Sequence, residues 1–288
     1  MGRHYLELSA GVITRAIVRA ITGGRLSICK LTLACIILST GVVGGGASAE
    51  ELVADYTAYW AGLPAAQIRL KLSDAAAAYQ DEIEIRSEGL PRLITHFRVK
   101  AQAGGRLVPG RPAEPSHYDA LYDVRRWRDS RIAMRFVAHD GAMVAERAAE
   151  DNSRKALLDE KYRRDIADPL TAFETVRAEI AAHNRAPDTA FVVPVYDGTR
   201  RFDVVGHILP KAEQSPGILR LALNLRPIAG FKGQSKVDGD PDDAPRPVAV
   251  TVTDDQRLLP VSMTLRVFYL PLVIQLDRVC PGAKECVG

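Results

Sequence analysis

The chain has 288 residues, 47% of them hydrophobic and 25% charged, which is enough to bury one sizeable core. Of its 38 basic and 35 acidic side chains, five basic and one acidic fall in residues 1–49, leaving 33 and 34 and a formal net charge of −1. A nearly neutral chain lacks the positive field of a nucleic-acid binder, so nucleic acid is excluded as an expected partner.

The stretch "RLSICKLTLACIILSTGVVGGGASAE" has the three parts of a secretory leader: a basic flank at Arg25 and Lys30, an apolar run from Leu31 to Val43, and the small residues Ala47-Ser48-Ala49. Cleavage after Ala49 predicts an exported, periplasmic protein; the alternative is an uncleaved anchor in the inner membrane. The apolar run is shorter than the ~20 residues that a bilayer span prefers. Cys35 follows "LTLA", where Leu33 occupies a position that a lipid-attachment signal gives to a small residue.

Residues 50–288 then read as a single β-rich domain. "ADYTAYWAGLPAAQIRLKLS" gives two strands around Gly62-Leu63-Pro64, with Ile68, Leu70 and Leu72 alternating against Arg69 and Lys71. "YQDEIEIRSEG" places Ile83 and Ile85 between acids, and "ITHFRVKAQAGG" alternates again. "HYDALYDVRRWRDSRIAMRFVAHDG" supplies two more strands ending in an Asp140-Gly141 turn. Its basic patch, Arg125–Arg131, is interrupted by Asp129 and reads as a solvated strand face.

The charged run "RKALLDEKYRRDIA" is a loop or short helix. After it, "DPLTAFETVRAEIAAHN" breaks the two-residue rhythm. Asp168 is a good cap, Pro169 suits the first helical position, and Leu170, Phe173, Val176, Arg177 and Ile180 form a stripe. One main α-helix over about residues 169–182 is expected to cover the sheet.

In "FVVPVYDGTRRFDVV" the pair Asp197-Gly198 is the corner of a hairpin rather than a displayed catalytic carboxylate. A two-residue turn there gathers Phe191, Val193 and Val195 on one face with Phe202 and Val204. It also sets Pro194 opposite Arg201, tolerable on an edge strand if the backbone of Pro194 faces away from its partner. Thr199, Arg200 and Arg201 are read as solvent-facing, with anion binding as the alternative. Further strands follow in "ILRLALNL", "RPVAVTVTDDQRLLPVSMTLRV" and "FYLPLVIQLDRV". Val267–Leu276 is apolar at nearly every position, as a strand covered on both faces would be, and Pro271 there points to an edge or bulge.

No catalytic constellation is visible. His96, His117, His139, His183 and His207 are widely spaced, and there is no nucleophile elbow, phosphate loop or dinucleotide fingerprint. The acidic run Asp238–Asp243 fails the EF-hand pattern, because Asp243 and Ala249 stand where glycine and glutamate are needed. No metal, no cofactor and no catalytic residue is therefore expected. Cys280 and Cys286 flank a short segment, and an exported chain predicts a disulfide between them.

The segments "YTAYWAGLPAAQIRL", "DPLTAF", "VPVYDGTRRFD" and "FYLPLVIQL" together resemble a secreted bacterial family catalogued as domain of unknown function 3108. The resemblance implies an envelope location and a mostly antiparallel β fold. That fold looks similar to the periplasmic lipoprotein carriers, in which helices lid an incomplete barrel that holds acyl chains.

The fold class expected is thus mostly β, a curved antiparallel sheet or incomplete barrel covered by one helix. The function expected is non-catalytic binding of an apolar or lipid-like ligand between sheet and helix, lined by Phe173, Val176, Val267, Tyr269, Leu272 and Ile274. The alternative is an envelope scaffold or assembly factor that binds another protein through a sheet edge or face.

Overall fold

The computed structural model describes residues 50–282 apart from 76, 90–91, 93–95, 125–126, 154–155, 211–214, 232–244 and 268. The expected leader, the acidic run Asp238–Asp243, Arg125 and Cys286 lie outside the described residues. No helix among the described residues is long and apolar enough to cross a membrane.

The alternation read from the sequence is realised as β1 (Glu50–Trp60), β2 (Leu63–Ala75), β3 (Ala78–Ser87), β4 (Phe97–Arg106), β5 (Glu114–Val124), β6 (Trp127–His139) and β7 (Ala142–Arg147). One 3₁₀ turn (Glu160–Tyr162) and the helix α1 (Pro169–Ala182) separate these from β8 (Ala190–Tyr196), β9 (Arg201–Ile208), β10 (Ile218–Ala229), β11 (Arg246–Thr253), β12 (Pro260–Val267) and β13 (Leu270–Pro281). All thirteen belong to one antiparallel sheet, in the order β7-β6-β5-β4-β3-β2-β1-β13-β12-β11-β10-β9-β8. The first strand pairs with the last, so the free edges are β7 and β8, consecutive in the chain.

Those edges show how far the sheet is curled. Laid flat, thirteen strands would put β7 and β8 roughly 58 Å apart, yet the five residues Arg163–Ala167, with a reach of about 17 Å, bond to both. Ala145 N–H donates to the Arg163 carbonyl (2.9 Å) and Asp165 N–H to that of Met143 (2.7 Å). On the other side Ala167 N–H donates to Pro194 (2.8 Å) and Tyr196 N–H to Ala167 (2.8 Å). The two edges do not pair with each other, so the barrel is incomplete and this segment spans its gap.

Alternation sorts the strand side chains. Ile68, Leu70 and Leu72 are buried. Outside, Arg69 and Arg278 both bond Asp55 (2.7 and 2.8 Å), Lys100 reaches Glu82 (3.0 Å) and Arg86 reaches Glu84 (2.7 Å). Each exposed pair adds little stability, but such a charged outer face is a poor surface for aggregation.

The helix departs from the expected stripe. Leu170, Thr171, Ala172, Glu174 and Thr175 are buried; they span an arc of about 200° around the first two turns, a broader buried face than the expected stripe. Phe173 and Val176 are only half-buried, although they pack against the core.

Two Asp-Gly pairs behave differently. Asp140 and Gly141 (φ 48° and 77°) close the expected two-residue hairpin between β6 and β7. At Asp197-Gly198 the loop has four residues, because Tyr196 pairs with Arg201 and Pro194 with Asp203. A shift of two residues preserves parity, so Val195, now opposite Phe202, and Val193, now opposite Val204, stay on the buried face. Pro194 lies on edge strand β8 and turns its backbone away from β9, where its missing N–H costs nothing. Asp197 Oδ1 accepts from the N–H groups of Thr199 (2.8 Å) and Arg200 (2.7 Å), which fixes the corner.

That corner is packed inward, which corrects the solvent-facing reading of the basic triplet. Thr199 and Arg200 are buried, Arg200 lies 5.1 Å from the Phe231 ring centre, and Arg201 pairs with Asp203 at 2.5 Å. A Cβ on Gly198 (φ 86°) would lie 2.3 Å from Ile132 Cγ2, whereas one on Gly141 would meet nothing. Gly198→Ala should therefore lose roughly 2 kcal/mol by overpacking and backbone strain. Gly141→Ala should lose about half of that from strain alone; urea denaturation of both variants checks the difference.

The apolar run Val267–Leu276 is a second correction. It is a hairpin rather than one strand, with Val267 opposite Leu270 and Tyr269 in the turn at φ 64°. Strong apolar propensity on both sides hid a two-residue turn that lacks glycine. Pro271 is neither on an edge strand nor at a bulge. Its carbonyl accepts from Ala61 N–H (2.9 Å), just where β1 turns away and no donor from residue 271 is needed.

Candidate functional site

On β2 the inward positions run Leu70, Leu72, Asp74; on β3 they run Tyr79, Asp81, Ile83, Ile85. Asp74 lies opposite Tyr79 and Leu72 opposite Asp81, so the two aspartates are diagonal neighbours on the inner face. Helix α1 passes over them. Its cap, Asp168, is fully buried and accepts at Oδ1 from the N–H groups of Leu170 (2.9 Å) and Thr171 (3.0 Å). The Thr171 hydroxyl donates to Asp168 Oδ2 and bonds the Tyr79 hydroxyl, tying the helix start to β3.

One turn further on, Glu174 and Arg177 face the aspartates. Arg177 Nη1 donates to both Glu174 oxygens (2.8 and 2.7 Å) and, at 3.3 Å, to Asp74 Oδ2. One oxygen from each of Asp74, Asp81 and Glu174 lies within 4.8 Å of the others. Asp81 is 0% exposed, and neither of its carboxyl oxygens meets a hydrogen-bond donor. Burial, then the charges of Glu174 and Asp74, push the Asp81 carboxyl far above its ordinary range. Glu174 is raised too, chiefly by burial, against the pull of Arg177. Such a pair holds a proton at neutral pH.

Above the cluster lies a cleft of about 520 Å³, lined by Leu52, Leu72, Asp74, Arg177, Asp255, Gln256, Arg257 and Leu259. Its outer wall is the β11–β12 loop, where Arg257 Nη2 pairs with Asp255 at 2.6 Å. Burial there would raise the Asp255 carboxyl, but the Thr253 hydroxyl and the Arg257 guanidinium outweigh it and hold it low. The cleft thus joins an apolar wall to a charged floor between sheet and helix.

No family model and no curated protein matches the sequence. Among solved structures, the chain is similar to the crystal structure of a β-barrel-like protein of domain of unknown function DUF1849 from Brucella abortus. The identity is 10% and the TM-score 0.49, over 82% of this chain and 99% of that one.

None of the six residues expected to line a ligand borders this cleft. Val267, Leu272 and Ile274 are buried in the core, whereas Tyr269 is 91% exposed at its hairpin tip. Asp168 and Pro169 stand at the helix start as expected. Cys280 is buried beside Val53. Asp74, Asp81 and Glu174 were missed, although a signal existed: Asp81 has the parity of Ile83 and Ile85, and Asp74 that of Leu70 and Leu72. A carboxylate in step with a buried apolar series belongs inside.

Proposed function

We propose that the chain is an exported, non-catalytic protein that binds a lipid-like, amphipathic small molecule between the sheet and the helix. The cleft beside Arg177 carries this reading. Its volume falls within the ~300–1,000 Å³ of small-molecule sites. Leu52, Leu72 and Leu259 offer an apolar wall, and Asp74 with Arg177 offers polar anchors for a head group.

Two observations favour binding over the other readings. A hydrolase would need its acid in contact with substrate, but Asp81 and Glu174 are 0% and 3% exposed, behind the floor of the cleft. A scaffold acting through a sheet edge would need unpaired strand backbone. The Arg163–Ala167 segment occupies both edges at Met143–Ala145 and Pro194–Tyr196, and Asn152 and Asp151 side chains accept from the N–H groups of Arg131 (2.6 Å) and Ala133 (3.2 Å) beyond the end of β7.

The test is native mass spectrometry of protein purified from the cell envelope without detergent, together with titration by the fluorescent amphiphile N-phenyl-1-naphthylamine. A small-molecule adduct and saturable fluorescence are expected. Leu72→Trp, which fills the cleft, should weaken dye binding by at least about tenfold, or 1.4 kcal/mol, with an unchanged circular dichroism spectrum. Absence of both adduct and saturation would refute the reading.

A further inference from the structure

The geometry points to a divalent-cation site formed by Asp74, Asp81 and Glu174 beneath the cleft, with calcium the best-fitting ion. Hard cations of this class take carboxylate oxygens, and here three such oxygens from three elements converge. Their triangle, with sides of up to 4.8 Å, has its centre at most about 2.8 Å from each corner. Calcium–oxygen bonds of roughly 2.3–2.6 Å need only a small inward movement, whereas the ~2.1 Å and stricter octahedral geometry of magnesium need a larger one.

Asp81 supplies an independent reason. It is wholly buried, yet both of its oxygens go without a donor. A buried carboxyl group normally has hydrogen bonds that compensate for lost hydration. Of the donors on the surrounding strand and helix, Tyr79 bonds Thr171, Thr171 bonds Asp168, and Arg177 bonds the other two acids through Nη1 while its Nε–H finds no acceptor, so none of them reaches Asp81. Apart from a proton shared with Glu174, Asp81 has nothing to offset its burial, and a cation at the centre of the triangle would supply it.

Charge selects the valence. Three carboxylates against the Arg177 guanidinium leave two negative charges, which a divalent ion neutralises. Arg177 also marks the entry path, since it and Asp74 line the cleft while Glu174 and Asp81 lie behind them.

The test is isothermal titration calorimetry of the chelator-treated protein with calcium chloride at pH 7.5. One site is expected, with Kd on the order of 10⁻⁵–10⁻³ M and weaker magnesium binding. Asp81→Asn should weaken calcium at least about tenfold, Arg177→Met should tighten it by removing a competing cation, and the surface change Glu114→Gln should leave it as it was.

No calcium heat up to several times the upper Kd, or an unchanged affinity in Asp81→Asn, would overturn the assignment and leave a proton-sharing acid pair. The inference does not rest on the amphiphile. Dye binding that persists without calcium binding counts against the cation site alone, and the converse counts against the ligand alone.

Discussion

Asp168→Ala should destabilise the protein by about 3–5 kcal/mol, far more than removal of an ordinary surface cap, which costs ~1 kcal/mol. The reason is location. Asp168 is fully buried and receives the N–H groups of Leu170 and Thr171 as well as the Thr171 hydroxyl, whose oxygen also meets the Tyr79 hydroxyl. Alanine leaves those donors inside the barrel with no water to replace the carboxylate, and uncouples the start of α1 from β3. Asparagine in its place would keep one acceptor for the helix N–H groups, so Asp168→Asn should lose less than half as much. Burial raises the Asp168 carboxyl to about 6, although its hydrogen bonds pull the other way. The folded state therefore holds this proton more tightly than the unfolded chain does. Its contribution is complete below about pH 4 and declines as pH rises to about 6, a slope that the asparagine variant should lack. Urea denaturation between pH 4 and pH 8 checks both the size and the slope.

The strands and their buried faces were legible because burial enforces a period of two along each strand. The Asp140-Gly141 turn and the Asp168-Pro169 helix start were legible because their chemistry is local. What escaped was non-local. Nothing near Tyr269 announces that a continuous apolar run folds back, since Val267 and Leu270 suit a strand equally well on either side of the turn. The four-residue loop at Asp197 is chosen by packing against Ile132 and Met134, 60 or more residues away in the chain. The candidate site shows the same limit. Asp74 and Asp81 could be placed on an inner face by parity, and Glu174 one helical turn before Arg177. Only the curl of the sheet over α1 brings them together.

Asp81→Asn should stabilise the protein, an uncommon result for a buried polar position. The wild-type carboxyl lies at 0% exposure, with no donor on either oxygen and two further acids beside it. Burial and the charges of Glu174 and Asp74 raise it from 3.8 to about 9. Between those values the unfolded chain has released the proton and the folded protein retains it. The slope of stability against pH is thus negative, and stability falls as pH rises from about 4 to about 9. Asparagine does not titrate, fits the same volume and offers Glu174 a donor. Wild type and variant should be nearly equal at pH 4 and should diverge as pH rises. At pH 8 the variant should be ahead by on the order of 3 kcal/mol, or about 5–10 °C in Tm. Differential scanning calorimetry of chelator-treated protein at pH 4.5 and pH 8 measures this; equal Tm values at both pH values would refute the strained acid pair. Saturating calcium should then raise the wild-type Tm at pH 8 by more than that of the variant, whose site is weaker. That reversal, stability lost without the ion and gained with it, would mark Asp81 as a binding rather than a folding residue.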